Sequence, residues 1–384
     1  MIEAIAPFGN HLPVRIRFGP GVIGELSAVA EAEGATRAFV VVDEAVSTHA
    51  AVEQALAGLE VVRRPKPPGE PTVAEVEDVA MELDTTGAQL VVGIGGGSVM
   101  DTAKAARLVW SQGVPYRRFA AREVTFEEQR IPLVLCPTTA GTGSEVSGGA
   151  VISDEATHVK AGIASPLLRA QHALVDPQLT YDLPAAPTAH AGIDALAQAI
   201  AAIVVTARTP IGNAIALESV RLGAVALPAV VRNGTDQNAR SAMACASLLA
   251  GLAMNISDCG SEHSLAQAIG GRLGLPHGLT IGLVLAETMD HDRAAVPALF
   301  ERIADALGEP DDGSGDGSRA VRGVRRILAD IGFPTLAGAG VFERDLGELA
   351  DAALDDYFIT VAPAAWSRAD AIGTYRNALA LSGR

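Results

Sequence analysis

An α/β domain built on a parallel sheet, joined to an all-α domain, is the fold class that this 384-residue chain predicts. Its first half carries short, uninterrupted apolar runs such as Ala38-Phe39-Val40-Val41-Val42, which suit parallel strands covered on both faces. One such run, Leu90-Val91-Val92-Gly93-Ile94, passes directly into Gly95-Gly96-Gly97-Ser98 and then into a helical pattern. That order presents backbone N–H groups and the positive end of a helix to an anion. From about Pro187 the chain changes to long Ala- and Leu-rich stretches with helical periodicity. The length is more than one core usually holds, so the expected division is residues 1–184 and residues 185–384.

Taken in order, Val14 to Phe18 alternates apolar and basic residues, the period of a half-buried or edge strand, before Gly19-Pro20-Gly21 turns the chain. Val22 to Gly34 reads as helix, Ala38 to Val42 as a strand ending at Asp43, Ala50 to Leu59 as helix, and a short strand is expected near Val61. Pro65 to Pro71 reads as a loop and Val73 to Leu83 as helix, and after the glycine turn a helix is expected from Val99 to Trp110. Ile131 to Cys136 is a strand that ends in Pro137-Thr138-Thr139-Ala140-Gly141-Thr142-Gly143-Ser144-Glu145. Small hydroxyl residues and glycines at a strand end allow close backbone approach to a ligand. Gly149 to Ser153 and Ala173 to Asp176 complete the strands, with Pro177 and Pro184 closing the α/β part. Helices are expected over Ala191 to Ala207, Gly212 to Asn233, Asn238 to Asn255, His263 to Arg272, Gly278 to Thr288 and Val296 to Leu307. Gly308 to Ser318 reads as a mobile surface loop, and helices resume beyond it.

Composition narrows the function classes. A net charge of −16 opposes a polyanionic partner, so no nucleic acid is expected. Three cysteines without paired spacing argue against a disulfide framework and for a reducing cytoplasm. No stretch reaches about 18 uninterrupted apolar residues, so no membrane partner is expected.

Several polar residues stand out against this background, each with two readings. Gly95 to Ser98 with Asp101 and Lys104 is either an anion-binding turn or a plain strand-to-helix turn with a solvated pair. Asp43, at a strand end, is placed to bond a ribose 2'-OH and repel a 2'-phosphate, or simply to cap a turn. Lys160, in Thr157-His158-Val159-Lys160, is a fixed positive charge for a ligand or an exposed lysine. Asp194, His263 and His277 are a carboxylate and two imidazoles, a ligand set that leaves a coordination position open on a divalent metal. The two histidines lie fourteen residues apart with no compact metal signature, so their convergence depends on the fold. Gln198 shares a helix face with Asp194, and Gln267 shares one with His263.

Together these pieces resemble the iron-containing alcohol dehydrogenase family, which stands with glycerol dehydrogenase and dehydroquinate synthase in one superfamily. Four motifs carry the likeness: Gly95 through Lys104, Pro137 through Glu145, Asp176-Pro177, and His263 through Pro276-His277-Gly278. The resemblance runs from about Val14 to the C-terminus. It implies a dehydroquinate synthase-like fold with NAD(P) in the α/β domain, a metal in the helical domain and the substrate in the cleft between. Carried across position by position, it implies that Gly95, Gly96, Gly97 and Ser98 contact the pyrophosphate and that Asp101, Thr138, Thr139 and Thr142 line the cofactor. Lys160 would lie near the ribose or the substrate, and Asp43 matches the position associated with preference for NAD(H) over NADP(H).

The implied ligands of zinc or iron are Asp194, His263 and His277, with the amide oxygen of Gln198 as a fourth. Here the chain departs from the family, which usually has histidine at the positions of Gln198 and Gln267. A neutral amide weakens the nitrogen environment that favours Fe(II). Gln267 removes an imidazole from proton transfer, leaving water, a ribose hydroxyl or His190 as the route. Lys160, Asp194, His263, Gln267 and His277 are thus the expected catalytic set. The expected activity is hydride transfer between NAD(H) and a small alcohol, aldehyde or ketone, by a cytoplasmic homodimer or larger assembly. Three rivals stand beside it: a maleylacetate-reductase-like enzyme working without metal, a dehydroquinate-synthase-type lyase, and a catalytically silent NAD-binding protein.

Overall fold

The structure, a computed structural model, describes residues 7–156 and 159–380. Thr157 and His158, named above with Lys160, lie outside the described residues. The first half alternates strands with helices: β1 (Arg15–Phe18), α1 (Leu26–Ala32), β2 (Arg37–Asp43), α2 (Ala50–Leu56), β3 (Glu60–Lys66), α3 (Val73–Thr86), β4 (Leu90–Gly95), α4 (Gly97–Gln112), α5 (Tyr116–Ala120) and β5 (Leu133–Pro137). Then come β6 (Gly149–Asp154), β7 (Val159–Ala164) and β8 (His172–Val175). Six strands form one sheet in the order β1-β8-β5-β4-β2-β3, and every pairing in it is parallel. β6 and β7 make a separate antiparallel hairpin.

The uninterrupted apolar runs are explained by this arrangement, because successive residues of a strand point to opposite faces. Phe39 and Val41 pack on one face with Val76, Val79, Met100 and Ala103 of α3 and α4. Val40 and Val42 pack on the other with Leu26, Val29, Val52 and Leu56 of α1 and α2. The edge reading of the first strand holds, since β1 is outermost, with Ile16 and Phe18 over a third exposed.

Three local expectations differ from the structure. β3 runs through Pro65 into the stretch read as a loop, which a proline can do on an outermost strand because its missing N–H breaks no ladder bond there. The expected helix after Gly21 is divided into a short 3-10 turn, Val22–Glu25, and the seven residues of α1. β7 was hidden because Lys160 and Gly162 interrupt its apolar pattern and its support is the hairpin register with β6.

The helical region begins with α6 (Ala185–Val204) and continues through α7 (Pro210–Arg232), α8 (Gln237–Ile256), α9 (Ser261–Leu273), α10 (His277–Asp292), α11 (Pro297–Ala306), α12 (Ser318–Asp330), α13 (Leu346–Leu354) and α14 (Arg368–Ala380). α6 is the spine. From Ile193 to Val204 every residue is buried, and the helix packs against α7, α8 and α10. Small residues allow the close approach: a Cβ on Gly192 would stand 2.4 Å from Leu227 Cδ1 of α7. α7 and α8 are long and apolar enough to cross a membrane by length and composition, yet Val220, Leu227, Met243 and Ala250 place their apolar faces in this core. The loop from Gly308 to Gly317 is tied down, with Arg319 donating to the Pro310 carbonyl and Arg293 to Asp316.

Candidate metal centre and cofactor cleft

At their carboxyl ends β2, β4 and β5 lie side by side, Ile94 being in register with both Val42 and Cys136. The strand order reverses between β2 and β4, since the chain steps outward to β3 on one side and to β5 and β8 on the other. Open α/β sheets bind ligands in the crevice at such a point. Asp43 closes β2 there, and Gly95 to Ser98 leave β4 beside it. A Cβ on Gly95 would sit 2.5 Å from Val99 Cγ2, and one on Gly97 would sit 2.7 Å from Thr142 Cγ2, so only glycine allows this turn to nest against the second loop. Thr139 borders Gly96 more loosely, at 3.4 Å from where a Cβ would stand, while Thr138 is buried and its N–H donates to the Gly95 carbonyl at 3.0 Å. The sixteen-residue α4 starts at this turn with no side-chain cap among the described residues, so its positive end is not satisfied by a capping side chain.

Polar side chains of this group also bond within the protein. Asp101 uses both carboxylate oxygens within the protein: Oδ1 accepts from Ser144 Oγ at 2.6 Å and Oδ2 from the Val151 N–H at 2.9 Å. Lys104 is fully buried, its Nζ donating to Ser144 Oγ at 2.7 Å and to the Gly149 carbonyl at 2.8 Å. Burial pushes the Lys104 ammonium pKa down, opposed by the Asp101 and Glu145 carboxylates. The reading of Asp101 and Lys104 as a solvated pair is therefore corrected: they clamp α4 to the second loop and to β6. Asp43 Oδ1 accepts from the Ala45 N–H at 3.0 Å, so this residue does cap a turn.

The helical half supplies the other wall. α9 ends at Gly274, whose φ of +64° allows the left-handed cap that reverses the chain, and α10 starts three residues later at His277. A Cβ on Gly278 would stand 2.2 Å from the His190 carbonyl oxygen, so the start of α10 is pressed against α6 one turn before Asp194. That contact brings the trio together. His263 Nε2 lies 3.7 Å and His277 Nε2 3.6 Å from the same Asp194 oxygen, Oδ1, and all three ligand atoms are within 4.8 Å of one another.

Those distances decide between two readings. A charge-assisted hydrogen bond would draw nitrogen and oxygen to about 2.7–2.9 Å. Two ligands each about 2.1 Å from one tetrahedral cation stand roughly 3.4 Å apart, close to what is found. Asp194 Oδ1 is buried with no hydrogen-bond partner among the described residues, and so is Gln198 Oε1 one turn further along α6. A buried acceptor without a donor is costly, and a cation relieves it. The donor set therefore fits a divalent metal. Asp194 and His263 are nearly enclosed, while the His277 side chain is 32% exposed, which gives the centre one open side. Burial lowers the His277 pKa against the pull of Asp194. For His263 burial acts downward too, but the Cys259 thiol and the Glu262 carboxylate against the ring outweigh it and raise its pKa well above the ordinary range.

Lys160 lies on β7, within electrostatic range of the centre. Its Nζ pairs with Glu70 Oε2 at 3.2 Å, its side chain is 18% exposed, and both charges act on the His277 imidazole. The exposed-lysine reading is thereby set aside. Gln267 is partly buried one turn beyond His263. His190 stands edge-on to Phe333, its ring 5.7 Å away, and burial pushes its pKa down. Two neighbours of the trio escape any spacing argument. Phe358 lies edge-on to His263 at 5.7 Å, from a segment far along the chain. Glu262 Oε1 meets His263 Nδ1 at 2.8 Å, although adjacent helix residues ordinarily face different ways. A glutamate in the Gly260-Ser261-Glu262-His263 tract, inside an apolar bundle, was its only signal.

Comparison with known proteins agrees with this geometry over nearly the whole chain. The profile described as "Iron-containing alcohol dehydrogenase" matches residues 13–177, and "Fe-containing alcohol dehydrogenase family, C-terminal" matches residues 188–379. The NAD-dependent methanol dehydrogenase of Bacillus methanolicus is 32% identical over 377 residues, which cover 96% of this chain and 99% of that protein. The crystal structure of a 1,3-propanediol oxidoreductase superposes with a TM-score of 0.92 at 30% identity, over 97% of this chain and 100% of that one. Sulfoacetaldehyde reductase from Bifidobacterium kashiwanohense, solved in complex with NAD+, superposes with a TM-score of 0.89 at 26% identity, over 97% and 99%. With the two family profiles together spanning most of the chain and a relative 32% identical over nearly all of it, the chain belongs to the iron-containing alcohol dehydrogenase family and is an oxidoreductase acting on CH–OH groups.

Proposed function

We propose that this protein moves hydride reversibly between NAD(H) and a small alcohol or its aldehyde or ketone, with zinc or iron held by Asp194, His263 and His277 and with Gln198 Oε1 as a fourth donor. The observation that carries the metal is the pair of orphaned buried acceptors, Asp194 Oδ1 and Gln198 Oε1, on one face of α6. That pair also weighs against the metal-free reductase reading. When bound, the metal supplies Lewis-acid polarisation of the substrate oxygen and the nicotinamide supplies or receives the hydride. The chain's own part is positioning. Gly95, Gly96, Gly97 and Ser98 offer N–H groups and the α4 terminus to the pyrophosphate, Thr138, Thr139 and Thr142 line the cofactor, and Asp43 meets the ribose in a way that favours NAD(H). Asp101 acts by holding the second loop in place, while Lys160 and Gln267 border the reacting groups.

On this reading residues 1–184 and 185–384 are the two domains that close on the substrate. Three free cysteines suit a reducing cytoplasm, and the exposed edge strand β1 suits a homodimer or larger assembly. Two measurements test the proposal: NADH oxidation with a panel of small aldehydes and ketones, and elemental analysis of the protein purified without chelator. About one zinc or iron per chain is expected. Asp194→Ala should lose that metal and about 10³-fold in kcat/KM while keeping its affinity for NADH. Turnover by metal-free protein, undiminished in the Asp194→Ala variant, would overturn the role given to the metal.

A further inference from the structure

We propose that Glu262 is a positioning residue of the metal centre: its buried carboxylate holds His263 through Nδ1 so that Nε2 is presented to the cation shared with Asp194 and His277. The inference rests on the metal reading above and adds a residue that the ligand set does not contain.

The geometry is specific. Glu262 Oε1 lies 2.8 Å from His263 Nδ1, and both residues are buried. The carboxylate is itself held, since Oε1 also accepts from the Gly260 N–H at 3.2 Å. A Cβ on residue 260 would stand 2.6 Å from Glu262 Oε2, so the glycine there makes room for the carboxylate to fold back on its own helix start. Asp194 Oδ1 stands off the opposite nitrogen of the same ring, at 3.7 Å from Nε2. Each nitrogen of His263 thus has its own acidic neighbour, one at hydrogen-bond distance and one at the spacing of two ligands sharing a cation.

An imidazole can ligate a metal through one nitrogen only if the proton sits on the other, and a carboxylate on that other nitrogen selects this tautomer, orients the ring and makes the ligating nitrogen a stronger donor. Charge points the same way. Gln198 is neutral, so the buried carboxylates of Asp194 and Glu262 help to balance a divalent ion in surroundings where an unbalanced charge is costly. A glutamate placed here only for packing would need no acceptor aimed at a ligand's far nitrogen.

The test is metal affinity at pH 8, measured on metal-stripped full-length protein with zinc and a competing chromophoric chelator. Glu262→Gln keeps shape and a neutral acceptor, and should weaken zinc binding about 10-fold; Glu262→Met removes the acceptor and should weaken it about 100-fold. The melting temperature of the metal-free protein should change little in Glu262→Gln, so the loss appears in the zinc-induced rise in melting temperature. In zinc-loaded protein labelled with 15N-histidine, a downfield Nδ1–H proton of His263 should be present and should move upfield in Glu262→Gln. Equal zinc affinity and an unmoved imidazole proton in a folded Glu262→Gln protein would overturn the inference while leaving the metal reading intact. Absence of zinc uptake by the unsubstituted protein would overturn both.

Discussion

The glycine turn after β4 and the carboxylate–imidazole centre belong to one molecule, yet they are made in opposite ways. The turn is contiguous in the chain and works through the backbone; its side chains matter mainly by being absent, as the close approach of Gly97 to Thr142 demonstrates. The centre is assembled from α6, α9 and α10, and works through side-chain atoms that meet only because Gly278 lets α10 press on α6. A backbone site is broken by adding atoms. A side-chain site is broken by removing them, or by moving the helices that carry them.

The variant that bears hardest on this contrast lies where the second loop, which packs on the glycine turn, meets the helices around the centre. Gly143, in the second loop, has φ of +63°, and a Cβ there would come within 2.4 Å of the Gly251 Cα of α8. Both the strain and the clash fall on backbone that cannot move aside, so Gly143→Ala should lose about 3 kcal/mol of stability. Chemical denaturation measures it. If the variant is as stable as the parent, the two regions are not packed as tightly as the contrast requires.

Behind the centre, Asp292 accepts from Ser261 Oγ and from Trp366 Nε1, and burial raises its pKa to about 7. The folded-state pKa is thus above the unfolded value near 3.8, so the folded protein binds this proton more tightly. The stability it contributes is complete below pH 4 and is lost as pH rises towards 7. Asp292→Asn removes the dependence and should stabilise the protein by about 2 kcal/mol at pH 8, with little change at pH 4. Melting curves at the two pH values separate the outcomes, and an equal effect at both would show that the carboxyl does not titrate there.

A smaller effect separates the two sites directly. Gly97→Ala should weaken NADH binding about tenfold, roughly 1.4 kcal/mol, because Thr142 must yield to the new methyl group, and the metal content should not change. Fluorescence titration with NADH beside elemental analysis reads both; loss of metal in this variant would join what the contrast holds apart. The smallest change is expected for Asp43→Ala. Losing the cap on Ala45 costs about 1 kcal/mol, and the ratio of NADH to NADPH affinity should fall by a few-fold. An unchanged ratio would leave Asp43 as a turn cap alone.

Both regions were unequally legible before any coordinates. Strands such as β2 and β4 announce themselves by apolar runs, and the turn at Gly95 to Ser98 by glycines at a strand end, since both signals lie within a few residues. β7 escaped because its support is a partner strand rather than its own pattern, and the clamp role of Asp101 and Lys104 escaped because their partners, Ser144 in the second loop and Val151 and Gly149 on β6, are far along the chain. Asp194, His263 and His277 were nameable as ligand types, with the resemblance to a family supplying the grouping. Glu262 had neither help, as helical spacing argues against its bond to His263.

By itself, then, the sequence determined the alternation of buried strands and helices, the helical second half, the glycine turn and the chemical kinds of ligand present. These are written in hydrophobic period, glycine content and residue type, which are local properties. Only the tertiary structure decided that one Asp194 oxygen stands between two imidazoles, that Lys160 pairs with Glu70, and that Glu262 backs His263. The physical reason is that convergence of distant side chains depends on helix packing at the scale of single methyl groups, as at Gly192 and Gly278, and that close packing is a property of the whole core.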